Sequence, residues 1–540
     1  MAGAADMKPV AVCLVIAGMG LLVGCQRDHA AAVPESDVLF RSHFAGLARV
    51  VNDPKSTKLK EISSLPQSAA LREQTLQKFA RAPKTLFQDR VSAEQADKGA
   101  VLLRPLLDDL LDEESLLEVR GQDVQSPEWM LAVAVKADRK ALWQTNLAAL
   151  VQVWGLGSVS RATLEGFAVA EVKRAQSPTL VRWVDAGPWL VLGVGNAPLS
   201  ATDRLVRTLK TTGRPGAALT QTWLDAEAAL GKLAGPLGLS PKLPWPQVTV
   251  AVGNRDEYLR TTMRLAFAEP VTGPLSPWHV PTNLIREPLI SFTAARGVSP
   301  LLQRSETLRQ LELSPVPNEL YFWAQQQVAF QSFLAFAMPD ATNAVRRLAV
   351  PAKNLLGAER QKQGLAHVEW QPTNRQTVWK GLPFVTPFIQ PWQDVGMSFV
   401  YGGLFPAVPR TEPVPSELLG QFAARTNVIF YDWEITQARL NQWRMMAQLF
   451  AVIAQNTQLT TNTAGLPWLM SVEPHLGNTI TEVTADSPKQ WALVRKSHIG
   501  LTGVELLTFV RWLESVEFPR LGLELPPDAR SQRSKVPTKP

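Results

Sequence analysis

Two stretches of this chain run through the same order of patterns, and that repetition limits the fold more than any other feature. "EWMLAVAV", from Glu128 to Val135, is an apolar run of strand length, and a helix-period segment carrying Leu142, Leu147, Leu150 and Val151 follows from Asp138. "GFAVAEVKRAQSPTLVRWVDAGPWLVLGVG" then alternates apolar with polar between turn residues. Period-two alternation puts one side of each strand in a core. Turns as short as "AQSPT" and "DAGP" join antiparallel neighbours, because parallel ones need long crossovers. The order returns in "SFLAFAMPDATNAVRRLAVPAKNLLG", Ser332 to Gly357, with Asp340 ahead of the helix, and in "GLAHVEWQPTNRQTVWKGLPFV", which echoes the hairpin from Gly166. Leu131 to Leu334 spans 203 positions and Ala168 to Ala366 spans 198. A third, looser copy is read in "TNVIFYDWEITQARLNQWRMMAQLFAVIAQ" with "NTITEVTADSPKQWALVRKSHIG". Spacing this wide means duplicated domains and not a solenoid.

The expected class is therefore α+β. A mainly helical region covers 36–125, where "SAALREQTLQKFARA" puts Leu71, Leu76 and Phe79 on one face. Strand-helix-hairpin units with mainly antiparallel sheets follow at 126–275, 276–410 and 411–520, the second a possible duplicate of the first and the last a possible third unit. With 46% apolar residues in 540, the chain can build several cores. Residues 521–540, polar and rich in proline, are read as a disordered basic tail.

The first 24 residues are read as a leader. Lys8 precedes an apolar segment from Val10 to Val23, which as a helix would rise about 21 Å, short of the roughly 30 Å hydrocarbon core. Met7 is the better start, because beginning at Met1 adds Asp6 to a region that should be positive. Leu22, Val23, Gly24 and Cys25 resemble the lipobox of bacterial lipoproteins. The resemblance implies that the Cys25 thiol receives diacylglycerol, that cleavage falls before it, and that the new amino end is acylated, several chains together giving a stable anchor. Residues 25–35 then form a tether. Gln26 stands where inner-membrane lipoproteins commonly carry aspartate, which favours the outer membrane and leaves open the periplasmic or surface face. The alternative is an ordinary secretory leader with a chance cysteine.

Cys13 leaves with the leader and Cys25 is lipidated, so the mature chain has no thiol for disulfides, zinc or nucleophilic catalysis. The formal charge of +7 owes a net +3 to Arg530, Arg533, Lys535, Lys539 and Asp528 in the tail. No basic cluster interleaved with aromatics appears, and nucleic acid is not an expected partner.

Candidate chemistry is sparse. Asp432 and Glu434 in "FYDWEI" stand two apart on a strand, hence on one face, with Tyr431 and Trp433 on the other. Paired carboxylates serve glycoside hydrolysis, but acids just ahead of a helix also stabilise its N-terminus, with Arg439 in reach of one of them. Gly193 and Gly195 sit where a dinucleotide loop would, yet Pro198 occupies the third glycine position, and Ser200 with Asp203 reads as a helix cap. His29, His43, His279, His367, His475 and His498 lack ligand spacing, so no metal or cofactor is expected. Of the seventeen tryptophans many adjoin proline, as in "GPWLV" and "QPWQD", and are read mainly as core edges. The expected function is a lipid-anchored envelope lipoprotein, non-enzymatic, that binds a protein, glycan or lipid or serves envelope assembly; the alternative is an envelope glycan hydrolase using Asp432 and Glu434. Oligomeric state is not legible.

Overall fold

The computed structural model describes residues 38–86, 91–121, 126–173, 177–235, 243–305, 311–326, 331–355, 367–381, 385–405, 412–453 and 463–520, less a few single positions within these ranges. Twenty described strands join in one sheet, and every pairing in it is antiparallel.

The first half holds β1 (Val38–Phe44), β2 (Ser115–Arg120), β3 (Glu128–Ala134), β4 (Ser158–Leu164), β5 (Phe167–Lys173), β6 (Thr179–Ala186), β7 (Trp189–Asn196), β8 (Leu224–Ala229), β9 (Gln247–Arg255) and β10 (Tyr258–Ala266). They pair in the order β4–β5–β6–β7–β3–β2–β1–β8–β9–β10. The second holds β11 (Leu289–Arg296), β12 (Glu319–Gln325), β13 (Ser332–Ala337), β14 (His367–Gln371), β15 (Gln376–Lys380), β16 (Phe388–Asp394), β17 (Met397–Gly403), β18 (Val428–Ile435), β19 (Asn478–Ser487) and β20 (Gln490–Ser497). Their order, β14–β15–β16–β17–β13–β12–β11–β18–β19–β20, is the first with ten added to every number. Even a bulge recurs, between Val38 and Phe40 against β2 and between Leu289 and Ser291 against β12. Strands β10 and β20 join the halves edge to edge with Thr262 opposite Val494. Each is the fifth residue of its strand, so a pseudo-twofold passes between them.

Leu131 faces Leu117 and Leu192, and Leu334 faces Phe322 and Gly402, so the two leucines hold equivalent places 203 positions apart. Ala168 lies on β5, whereas Ala366 falls just ahead of β14, outside the described residues; β14 is the counterpart of β4, so the second offset matches the wrong strands. The stretch read as a third unit supplies β18, β19 and β20, the counterparts of β8, β9 and β10, and closes the second half. Local periodicity reveals a strand, a helix and a hairpin but not their partners. The region read as mainly helical also supplies β1 and β2, which pair with each other and flank β3 and β8.

The helices between β1 and β2 are α1 (Leu47–Asn52), α2 (Thr57–Ser63), α3 (Pro66–Leu86) and α4 (Ala93–Asp112). Next come α5 (Ala137–Val153) after β3, α6 (Ser200–Thr212) after β7 and the short α7 (Leu230–Leu233) after β8. The second half has α8 (Ser299–Leu302) after β11, α9 (Ala341–Leu355) after β13, α10 (Ser416–Ala423) after β17, α11 (Thr436–Ile453) and α12 (Gly465–Val472) between β18 and β19, and α13 (Gly503–Glu514) after β20. Thus α5 and α9 are counterparts, as are α6 and α10. The large insertions differ, and they meet. Ile62 and Leu71 bury against Leu440, Trp468, Leu469, Leu506 and Val510, and Trp468 Nε1 donates to Ser68 Oγ at 2.9 Å. This helical layer lies on one side of the sheet, the back; α6 and α10 lie on the front.

Candidate functional site

In the first half, α6 is set against the front of the sheet by fitted contacts. The Glu128 carboxylate on β3 accepts the N–H groups of Ala201 and Thr202 at 3.0 and 2.7 Å and the Thr202 hydroxyl at 2.7 Å, placing a negative charge at the positive end of the helix. A Cβ at Gly193 would collide with Thr202. The glycines of "WLVLGVG" therefore serve close packing, and the cap is Glu128 in place of the expected Ser200; Asp203 pairs with Arg182.

Beside α6 the front opens into a cleft of about 1040 Å³ over β2, β1, β8, β9, β10 and β20. Alternation fixes its floor: one row across the strands reads Glu118, Arg41, Glu227, Thr249, Arg264, Ala492, and the next reads Leu116, His43, Asp225, Ala251, Thr262, Val494. Arg204 and Thr208 of α6 and Pro215, Gly216 and Ala217 after it form a wall. Arg41 bridges two strands, with Nε 2.8 Å from Glu118 Oε2 and Nη1 3.0 Å from Glu227 Oε1. Glu118, 6% exposed, also pairs with Arg120, 7% exposed. Burial works against the Arg41 charge, but Glu118 and then Glu227 outweigh it and hold the guanidinium pKa above its ordinary value. Buried His43 contacts Glu114 at 2.8 Å, a bond that draws the Glu114 carboxyl below its usual range. Four arginines (41, 120, 204, 264) and four carboxylates (118, 225, 227, 486) line the cleft, so it carries no excess of either sign.

The second half puts rings where the first puts ions. Phe292 is the counterpart of Arg41 and stands between Trp323 on β12 and Trp433 on β18. In the next row Ala294 stands between Tyr321 and Tyr431. Phe292, Tyr321, Trp323 and Tyr431 are fully buried with Phe422 of α10. The connector 267–288 closes over them through Val280, Ile285 and Trp278. The ion row escaped sequence reading because residues 41, 118 and 227 become neighbours only through register; charges alternating within "FRSHF", "LEVR" and "LDAEAA" were the available sign.

Cys25 and His29 lie outside the described residues, as does the tail. Asp432 and Glu434 share the back face of β18, with Tyr431 and Trp433 on the front. Glu434, 4% exposed, accepts the Gly503 N–H at 2.8 Å at the start of α13, which Thr502 caps. Burial pushes its pKa up to about 7. Asp432 accepts the Thr293 hydroxyl at 2.6 Å and is likewise raised by burial. Arg439 bonds Gln442 and lies 4.6 Å over the Trp443 ring. The two carboxylates thus sit beneath helices, away from the cleft. Among the proline-flanked tryptophans, Trp189 and Trp468 are buried and Trp392 is 37% exposed.

Among the described residues no helix is long and apolar enough to cross a membrane. No family model matches the chain, and no curated protein sequence matches it.

Proposed function

We propose that the protein is a lipid-anchored envelope lipoprotein, held by Cys25 at a bacterial membrane, outer membrane favoured, and that it works as a non-enzymatic binding protein through the front cleft of its first half. Duplication of an ancestral ten-strand unit accounts for the shared wiring, and divergence for the difference between the two fronts. One observation carries the binding reading: the Glu118–Arg41–Glu227 row occupies the three positions at which the other half packs Trp323, Phe292 and Trp433. Setting ions where rings fit is poor for stability, since the desolvation of buried Glu118 and of half-buried Arg41 and Glu227 is only partly offset by their pairing. Retained charges at such a place have a use in recognition. Both carboxylates are held by arginine as hydrogen-bond acceptors, an arrangement suited to fixing a ligand and not to passing protons.

Hydrogen exchange tests this. The purified mature chain with Cys25→Ser, mixed with a solubilised envelope extract, is expected to gain protection around residues 41–43, 225–227 and 262–266. Protection confined to other surfaces, or release of sugars from peptidoglycan by the purified protein, would contradict it. In cells the same substitution is expected to remove the protein from the membrane fraction or leave its leader uncleaved. Normal processing with full membrane retention would end the lipoprotein reading.

A further inference from the structure

We infer that the occupant of the cleft is an extended polypeptide segment of a partner protein, with acidic and basic side chains in balanced number; this rests on the reading of the cleft as a binding site. The molecule carries its own precedent. In the second half the equivalent front is covered by polypeptide: residues 271–281 of the connector run without regular secondary structure across it. Their seating is specific. Arg296 donates to the Ser276 carbonyl at 2.5 Å and lies 4.5 Å from the Trp278 ring, and Glu319 accepts the His279 N–H at 3.3 Å. A little further on, Asp394 takes the N–H and the side-chain amide of Asn283 at 2.8 and 2.5 Å. Val280 and Ile285 bury against the ring cluster.

The first half offers the same sheet geometry to a visitor of different chemistry. Residues 215–217 stand against His43 on β1, but the front over β9 and β10 is exposed at Thr249, Arg264 and Ala266, and the side chains facing outward across β8 to β10 are ions, threonines and alanines. An apolar segment would strand those ions without water, and a polyanion or polycation would meet as much repulsion as attraction from four arginines and four carboxylates. A mixed-charge segment answers both signs. Most cleft ions are already engaged within the protein, but the Arg264 and Asp486 side chains make no ion pair or hydrogen bond among the described residues. Arg264 is exposed on the floor and Asp486 at the rim, so they are the groups that meet the incoming charges first.

The test uses peptides displayed on phage, panned against the full mature chain carrying Cys25→Ser. Enriched sequences are expected to hold acids and bases in similar number, and their synthetic versions are expected to weaken as salt is raised. Ala266→Trp, which fills the floor at an exposed position, is expected to weaken them by about tenfold or more, and Arg264→Glu by about threefold. Thr249→Trp serves as a second plug, and unchanged thermal unfolding marks each variant as folded. Failure to enrich peptides, or binders indifferent to both plugs, overturns the polypeptide assignment. Uncharged N-acetylglucosamine oligomers and phosphatidylethanolamine vesicles are titrated in parallel to separate the two levels. If either binds and is blocked by the plugs, the cleft stands as a binding site and the polypeptide falls; if peptides, sugars and vesicles all ignore the plugs, the cleft reading falls too.

Discussion

The two halves of this sheet differ most where their geometry differs least. Across β2, β1 and β8 the residues are Glu118, Arg41 and Glu227; across β12, β11 and β18 they are Trp323, Phe292 and Trp433. The rings form a closed core with Phe422 and the connector, each aromatic removing some 150–250 Å² from water. The ions form an open floor, and the wiring around them is the same. Backbone architecture is thus insensitive to which chemistry fills the row, so one half supplies a rigid packed body while the other is free to carry a polar surface. An internal control of this kind separates what the fold needs from what the row has been kept for.

Removing the middle member of each row gives the largest effects and contrasts them. Arg41→Ala removes the cation shared by Glu118 and Glu227, leaving Glu118 with Arg120, and is expected to cost about 2–3 kcal/mol in urea unfolding; Phe292→Ala opens a cavity and is expected to cost about 3–5 kcal/mol. They are distinguished by acid. Lowering the pH neutralises the two carboxylates that have lost Arg41 and should recover part of the Arg41→Ala loss, with no recovery for Phe292→Ala. Equal behaviour in acid would break the comparison.

Next is Glu434, on the back. Its folded pKa of about 7 lies above the ordinary 4.5, so the native state holds the proton more tightly than the unfolded chain. Its contribution is full below about pH 4.5 and is lost as the pH climbs through about 7. Glu434→Gln keeps an acceptor for the Gly503 N–H and should gain about 1–3 kcal/mol on wild type at pH 8, with little difference at pH 4. An unchanged pH slope would show that Glu434 does not titrate in this range. Smaller still is Glu128→Ala, which removes the remote cap of α6 and should cost about 1 kcal/mol. Arg264→Ala, exposed and with no side-chain partner among the described residues, is expected to stay within about 0.5 kcal/mol, which confines its effect to binding.

Sequence patterns carried the antiparallel hairpins and the 203-residue offset of Leu131 and Leu334, because strand alternation and turn chemistry are local. They did not carry the pairing of β1 and β2, six- and seven-residue strands separated by four helices. Nor did they separate the end of the second half from a third copy, since β18, α11 and a hairpin look alike in either role. Asp432 and Glu434 were legible as a same-face pair, but their partner helix was not. They precede α11 in the chain, while the N–H that Glu434 binds belongs to Gly503 of α13, brought over the sheet by tertiary packing. That burial makes the contribution of Glu434 depend on pH. Alternating charge marked each strand of the ion row, but the pairing was beyond local reading, its members lying 77 and 186 positions from Arg41 in the chain.

The claim that the row is kept for recognition and not for stability is tested most directly by urea unfolding of the quadruple variant Arg41→Met, Glu118→Leu, Arg120→Met, Glu227→Leu, beside Arg41→Met alone. The single variant is expected to lose about 2–3 kcal/mol, and the quadruple, which removes the whole ion cluster, to match wild type within about 1 kcal/mol or exceed it. A folded quadruple variant as unstable as the single one would mean that the ions hold the first half together, and would contradict the account.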